Sequence, residues 1–197
     1  MKRLKYIVAT VVLAMGFASC ETEAVDEKLK DDTLTAKPIL RFELNDKQTI
    51  VADSVKVLWD SGQFVIESRL SILNVDDTTN PETRYKPGYL HISCSTLALG
   101  NFPTGLSLEN PSNNLSSADL AIMEMVPDDD GVLQKVWTYY STDNAEENQN
   151  AGYTNISVIN DKAKYFDGNF EYILFPDPDS ELKPQRATKG NFNYVKY

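Results

Sequence analysis

From Pro38 onward apolar and polar residues alternate with a period of two, and this alternation constrains the fold more than any other feature of the chain. Side chains on a strand point to opposite faces in turn, so a period of two marks a sheet with one dry and one wet face. Phe64, Ile66, Leu70 and Ile72 share one face of a run whose other face carries Glu67, Arg69 and Ser71. Leu90, Ile92 and Cys94 alternate with Tyr89, His91, Ser93 and Ser95, and Phe170, Tyr172 and Leu174 with Asn169, Glu171 and Ile173. Val55, Val57 and Trp59 flank Lys56 and Leu58. The runs are rich in β-branched and aromatic side chains, which pack well on a pleated, half-buried surface.

Turn signals divide the runs. Asp60-Ser61-Gly62 separates 54–59 from 63–73, and Pro127 to Gly131 separates 119–126 from 132–140; each pair reads as a hairpin. Asp76 to Gly88, Asp143 to Asn150 and Pro176 to Pro184 read as loops. Ser116-Ser117-Ala118-Asp119 has the composition of a helix cap, but Ala121, Met123 and Met125 alternate with Ile122, Glu124 and Val126, which favours a strand. With 39–44 and 48–52 opening the domain, the pattern predicts one antiparallel all-β domain over 38–197 with about nine or ten strands. Pattern alone leaves a sandwich and a partly closed barrel both open. Gly168-Asn169-Phe170-Glu171-Tyr172 recurs as Gly190-Asn191-Phe192-Asn193-Tyr194. The echo predicts two neighbouring antiparallel strands, each opened by its Gly, with the Phe and Tyr of each on one face.

Ahead of this domain the chain is built differently. Lys2, Arg3 and Lys5 precede an apolar stretch of twelve residues, Tyr6 to Phe17. A spanning helix needs roughly 17–25 such residues, so twelve fits the apolar region of an export signal. Ala18, Ser19 and Cys20 follow, and this segment resembles the lipobox of bacterial lipoproteins, with Phe17 where Leu is usual. The resemblance implies a signal peptide over 1–19, lipid on Cys20 and attachment to the outer membrane through that lipid; cleavage after Ala18 is the alternative. Residues 20–37 read as an acidic linker without period, too polar to bury a core. Its acids are similar to the surface-export signals of Bacteroidetes lipoproteins.

The formal charge is −10, and loss of residues 1–19 with Lys2, Arg3 and Lys5 takes it to −13. That balance argues against nucleic acid and anionic lipid as electrostatic partners, both of which need basic patches. One histidine excludes a multi-histidine metal site, and with Cys20 lipidated only Cys94 is left as a thiol.

The whole arrangement resembles a family of small Bacteroidetes lipoproteins of unknown function, built as a lipobox, an acidic linker and one all-β domain. The resemblance rests on Val136-Trp137-Thr138-Tyr139-Tyr140, on Gly152 to Ile159, on the Gly-x-Phe at 168–170 and on the closing segment 190–197. It implies fold and location and brings no activity.

Candidate chemistry is sparse. His91 lies on the polar face of its strand and reads as a solvent-facing residue, while Cys94, three positions on, falls on the opposite, apolar face. A Cys–His pair from these two is geometrically disfavoured. Asp128, Asp129 and Asp130 form the densest acidic cluster and Asp76, Asp77 and Glu82 the second. The triplet reads as a solvated hairpin tip, with calcium as the alternative. Trp59, Trp137, Tyr139 and Tyr140 offer a platform for sugar rings, yet Trp137 and Tyr139 share a strand face with Leu133 and so read as a core stripe. Asp32-Thr33-Leu34, Asp53-Ser54-Val55 and Asp77-Thr78-Thr79 resemble a Bacteroidetes O-glycosylation pattern, making Thr33, Ser54 and Thr78 candidates. No nucleophile elbow, phosphate loop or dinucleotide fingerprint occurs. The expectation is a lipid-anchored, non-enzymatic binding or scaffolding protein of the cell envelope without a cofactor, its partner a protein or a glycan. A carbohydrate-binding accessory protein of a glycan uptake system and a lipocalin-like carrier of an apolar ligand are the alternatives.

Overall fold

The computed structural model describes residues 36–60, 63–75, 79–81, 83–105, 115–128, 130–146 and 149–197. Outside the described residues lie the expected signal peptide, Cys20, nearly all of the linker, Thr33, Ser61, Gly62, Asp76, Asp77, Thr78, Glu82 and Asp129. The domain occupies Lys37–Tyr197. Its strands are β1 (Ile39–Leu44), β2 (Gln48–Val51), β3 (Ser54–Asp60), β4 (Gln63–Leu73), β5 (Tyr85–Cys94), β6 (Gly100–Pro103), β7 (Ser116–Pro127), β8 (Leu133–Ser141), β9 (Gly152–Asn160), β10 (Tyr165–Pro176) and β11 (Gln185–Lys196). No helix occurs among the described residues, and none there is long and apolar enough to cross a membrane.

All strand pairs are antiparallel, running β2-β1-β11-β10-β8-β7-β5-β4-β3, with β9 also on β10 and β6 on β9. The order folds into two facing layers. One is β2-β1-β11-β10-β9-β6 and the other β3-β4-β5-β7-β8. They are joined where the end of β10 reaches across, pairing Phe175 with Ser141 and Pro176 with Tyr140. At the other side the chain turns from β2 directly into β3. There Ala52 N–H donates to the Leu40 carbonyl and Asp53 N–H to that of Arg69, one bond to each layer. The sheet is not closed into a barrel, so the architecture is sandwich-like.

The alternating faces meet between the layers. Phe64, Ile66, Leu70 and Ile72 of β4 are buried, as are Leu90, Ile92 and Cys94 of β5 and Phe170, Tyr172 and Leu174 of β10. Phe64 meets Phe166 of the other layer edge-on, with ring centroids 5.4 Å apart, and Phe166 meets Phe192 at 5.6 Å. One buried polar cluster bridges the layers: the Tyr172 hydroxyl donates to Ser116 Oγ at 3.2 Å and shares a close hydrogen bond with Thr154 Oγ1. Ser116 Oγ donates in turn to the Phe102 carbonyl at 2.7 Å. Tyr172→Phe would remove the close partner of Thr154 Oγ1 and the donor to Ser116 Oγ, which keeps its bond to the Phe102 carbonyl, and loss of a buried hydrogen-bond partner costs about 1–3 kcal/mol. The unfolding free energy extrapolated from urea denaturation is expected to fall by that amount, lowering the midpoint with an unchanged slope.

Among the described residues eleven strands are present, against about nine or ten expected; the one without a signal is β6, only four residues long and containing Pro103, too short to show a period. Two expectations need correction. β5 begins at Tyr85, inside the span expected to be a loop to Gly88. The echoed segments do pair antiparallel, with Gly168 opposite Phe192 and Phe170 opposite Gly190. However, each Gly sits within its strand instead of opening it. Phe170 and Tyr172 share the buried face, whereas in β11 the backbone of Tyr194 turns left-handed at φ 55°, its N–H bonding Asp167 Oδ1, and Val195 takes the buried place.

Candidate functional site

The outward face of β5, β7 and β8 gathers aromatic side chains that the core does not use. On β8, Tyr140 is the buried residue, while Trp137 is half-buried and Tyr139 is 66% exposed. This reverses the core stripe expected for Trp137 and Tyr139. The physical reason is that the β7–β8 hairpin outruns the core, leaving Val132, Leu133 and Val136 in solvent on both faces. Leu133 therefore says nothing about which face is dry.

Register assembles the rest. Tyr89, Ala121 and Tyr139 lie opposite one another on three adjacent strands, and Met123 pairs with Trp137 in the next row. The small Ala121 leaves the space between two tyrosines open, and the Tyr89 and Trp137 rings approach to 5.4 Å, tilted by 42°. Tyr85 extends the face and is 50% exposed, with the Arg84 guanidinium 5.5 Å above its ring. Beside Tyr85 a cleft of about 230 Å³ opens among Pro87, Met123, Met125, Asn74 and Lys135. Beneath the cleft Lys86 Nζ pairs with Glu124 Oε2 at 2.5 Å, so this cation is neutralised.

The four aromatic candidates from the sequence are thus not one site. Trp137 and Tyr139 stand together, Tyr140 is in the core, and Trp59 sits on the edge strand β3 against Phe64 with centroids 6.1 Å apart. Tyr85 and Tyr89 complete the face and were missed. Their alternation across Pro87 was the available signal, hidden because a proline is rare inside a sheet.

The remaining candidates fall where local chemistry puts them. His91 is on the outward face, its Nε2 3.9 Å from Glu67 Oε2, and Glu67 also pairs with Lys56 at 2.8 Å. The Lys56 hydrogen bond outweighs burial and holds the Glu67 carboxyl below its ordinary range. Cys94 is fully buried on the opposite face, and desolvation pushes its thiol up to about 12, so it stays protonated at neutral pH. Asp128 turns its carboxylate back onto its own hairpin. Oδ1 accepts from the N–H groups of Asp130 and Val132 and Oδ2 from Gln134 Nε2, and these bonds, Gln134 first, lower its pKa. Ser54 is exposed at the start of β3. Among the described residues no cluster of His, Cys, Asp and Glu is arranged to hold a metal ion.

What the aromatic face can do chemically is stack. Ring faces take flat apolar surfaces, and the amide and ammonium groups at the cleft are placed to hydrogen-bond the polar rim of whatever lies there. No protein-family model, no curated protein and no solved structure matches the chain.

Proposed function

We propose that this is a lipid-anchored, non-enzymatic protein of the outer membrane whose domain binds glycan through the face formed by Tyr85, Tyr89, Trp137 and Tyr139. The observation that carries the reading is the outward display of these rings beside a cleft edged by Asn74 and Lys135. The C–H face of a pyranose is apolar and its rim is polar, which is the pattern such a face complements. An aromatic cluster that served packing alone would be turned inward, as Phe166, Phe170 and Phe192 are. The carrier alternative is disfavoured because the sheet is open and large aromatic side chains fill the interior where an apolar ligand would sit.

The test is gel retardation in a panel of soluble polysaccharides. Trp137→Ala with Tyr139→Ala is expected to weaken retardation at least tenfold, about 1.4 kcal/mol. The thermal midpoint should fall only by what the outward Tyr89–Trp137 contact contributes, since neither side chain lies between the layers. Wild-type migration unchanged across the panel would sink the reading.

A further inference from the structure

The outward face of the other layer carries a second regularity. Asn101 of β6 lies opposite Asn155 of β9, Asn155 opposite Asn169 of β10, Asn169 opposite Asn191 of β11, and Asn191 opposite Arg41 of β1. Four asparagines from distant parts of the chain form one row across four adjacent strands. Neighbouring strands are about 4.8 Å apart, so the row with Arg41 spans roughly 19 Å.

Three of the four come from one repeated tripeptide. Gly100-Asn101-Phe102 is a further copy of the Gly-Asn-Phe at 168–170 and 190–192. Its Phe is buried in each copy. Packing explains Gly168 and Gly190, which make room for the facing rings. It does not explain the residue between. Asparagine is depleted in strands, and any β-branched residue would suit these outward positions better. Nor does an amide ladder explain it. Asn191 Oδ1 accepts from Arg41 Nε at 3.2 Å, but among the described residues no side-chain hydrogen bond reaches Asn101, Asn155 or Asn169. Asn191 Oδ1 also accepts from Asn193 Nδ2 at 3.3 Å and Asn191 Nδ2 donates to the Lys189 carbonyl at 3.4 Å, whereas the amides of Asn101, Asn155 and Asn169 each offer one acceptor oxygen and two donor hydrogens.

The adjoining row adds a ring and a carboxylate. Tyr153 lies opposite Glu171, one alternation along β9 and β10 from the asparagines, at a shallow groove that also borders Arg186 and Thr188. In a chain of charge −10 the row itself is neutral up to Arg41. Regularly spaced neutral amides with donor and acceptor in each match a repeating array of hydroxyl groups. They match neither an apolar surface nor a polyanion.

We propose that Asn101, Asn155, Asn169 and Asn191 form a second glycan-binding line, which holds a neutral linear polysaccharide lying across the strands of β6-β9-β10-β11. The ligand class rests on the glycan reading above, while the site is on the opposite layer. A long chain would contact it at several sugars in succession, so affinity should depend on polymer length.

The experiment is gel retardation of the whole domain in hydroxyethylcellulose and in glucomannan, comparing wild type, Asn155→Thr/Asn169→Thr and Trp137→Ala/Tyr139→Ala. Threonine favours the strand, so the first variant should unfold no lower than wild type and yet bind at least fivefold more weakly. Asn155→Ser/Asn169→Ser is the replacement if the threonine pair fails to fold. Wild-type retardation by the asparagine variant, with loss in the aromatic one, overturns this proposal and leaves the glycan reading standing. Loss in the asparagine variant alone supports the line and removes the aromatic face. Wild type unretarded by both polymers overturns this proposal, and the glycan reading falls with it only if migration is also unchanged across the wider panel.

Discussion

Gly190→Ala is expected to destabilise the domain by about 2–3 kcal/mol, and Gly168→Ala by at least as much. A Cβ on Gly190 would lie 2.5–2.6 Å from three atoms of the Phe170 ring. One on Gly168 would lie 2.4 Å from Phe192 Cζ and 2.2 Å from the Asn155 carbonyl oxygen. The two contacts are reciprocal: each copy of the echo lays its phenylalanine over the glycine of the other, and the Phe170 and Phe192 rings come to rest nearly parallel, 14° apart. Both rings are wholly buried, so neither can swing outward to admit a methyl group. At Gly168 the obstacle is partly backbone, which moves only by disturbing the β9–β10 pairing. A change of this size is a large share of the roughly 5–15 kcal/mol that holds a domain of ordinary stability. Urea denaturation should show the midpoint falling with little change in slope. Phe170→Leu combined with Gly190→Ala should cost at least 1 kcal/mol less than the sum of the single changes, because the leucine vacates the space the new methyl group needs. Strict additivity would show that the ring and the glycine do not interlock.

That echo also shows how far the sequence could be read. The period-two runs foretold β4, β5 and β10 with their buried faces, because those strands lie over the middle of the core and each inward position meets the other layer. Alternation loses its meaning where a strand runs past the core, which is why β8 was assigned the wrong dry face from Leu133. It also fails at irregular backbone. Tyr194 departs from the face of Phe192 because a left-handed residue shifts the phase, and no pattern in GNFNYVKY announces that. The aromatic face was half legible: Trp137 and Tyr139 were named, but joining them to Tyr89 required the β5–β7–β8 register, a long-range property. The asparagine row was legible only as the Gly-Asn-Phe that recurs at 100–102, 168–170 and 190–192, and its alignment was hidden for the same reason. Its members are adjacent only after β6, from the middle of the chain, pairs with β9.

Cys20→Ala is expected to move the protein from the membrane fraction to the soluble fraction, the largest functional effect of any single change in the chain. The mature chain would carry a charge of −13, and six of its acids, Glu21, Glu23, Asp26, Glu27, Asp31 and Asp32, lie directly after the cysteine. Anionic head groups repel such a segment within about 8 Å, the screening length at physiological ionic strength. A single acyl chain gives only marginal, reversible binding, with an association constant on the order of 10⁴ M⁻¹, so stable attachment needs more than one chain on that cysteine. High salt should therefore leave the wild type on the membrane, because screening removes a repulsion rather than an attraction, while detergent should release it. Mass spectrometry of the wild-type N-terminus should find Cys20 as the first residue, carrying acyl chains. A mature chain beginning at Ser19 without lipid, or release of the wild type by salt alone, would refute the anchor.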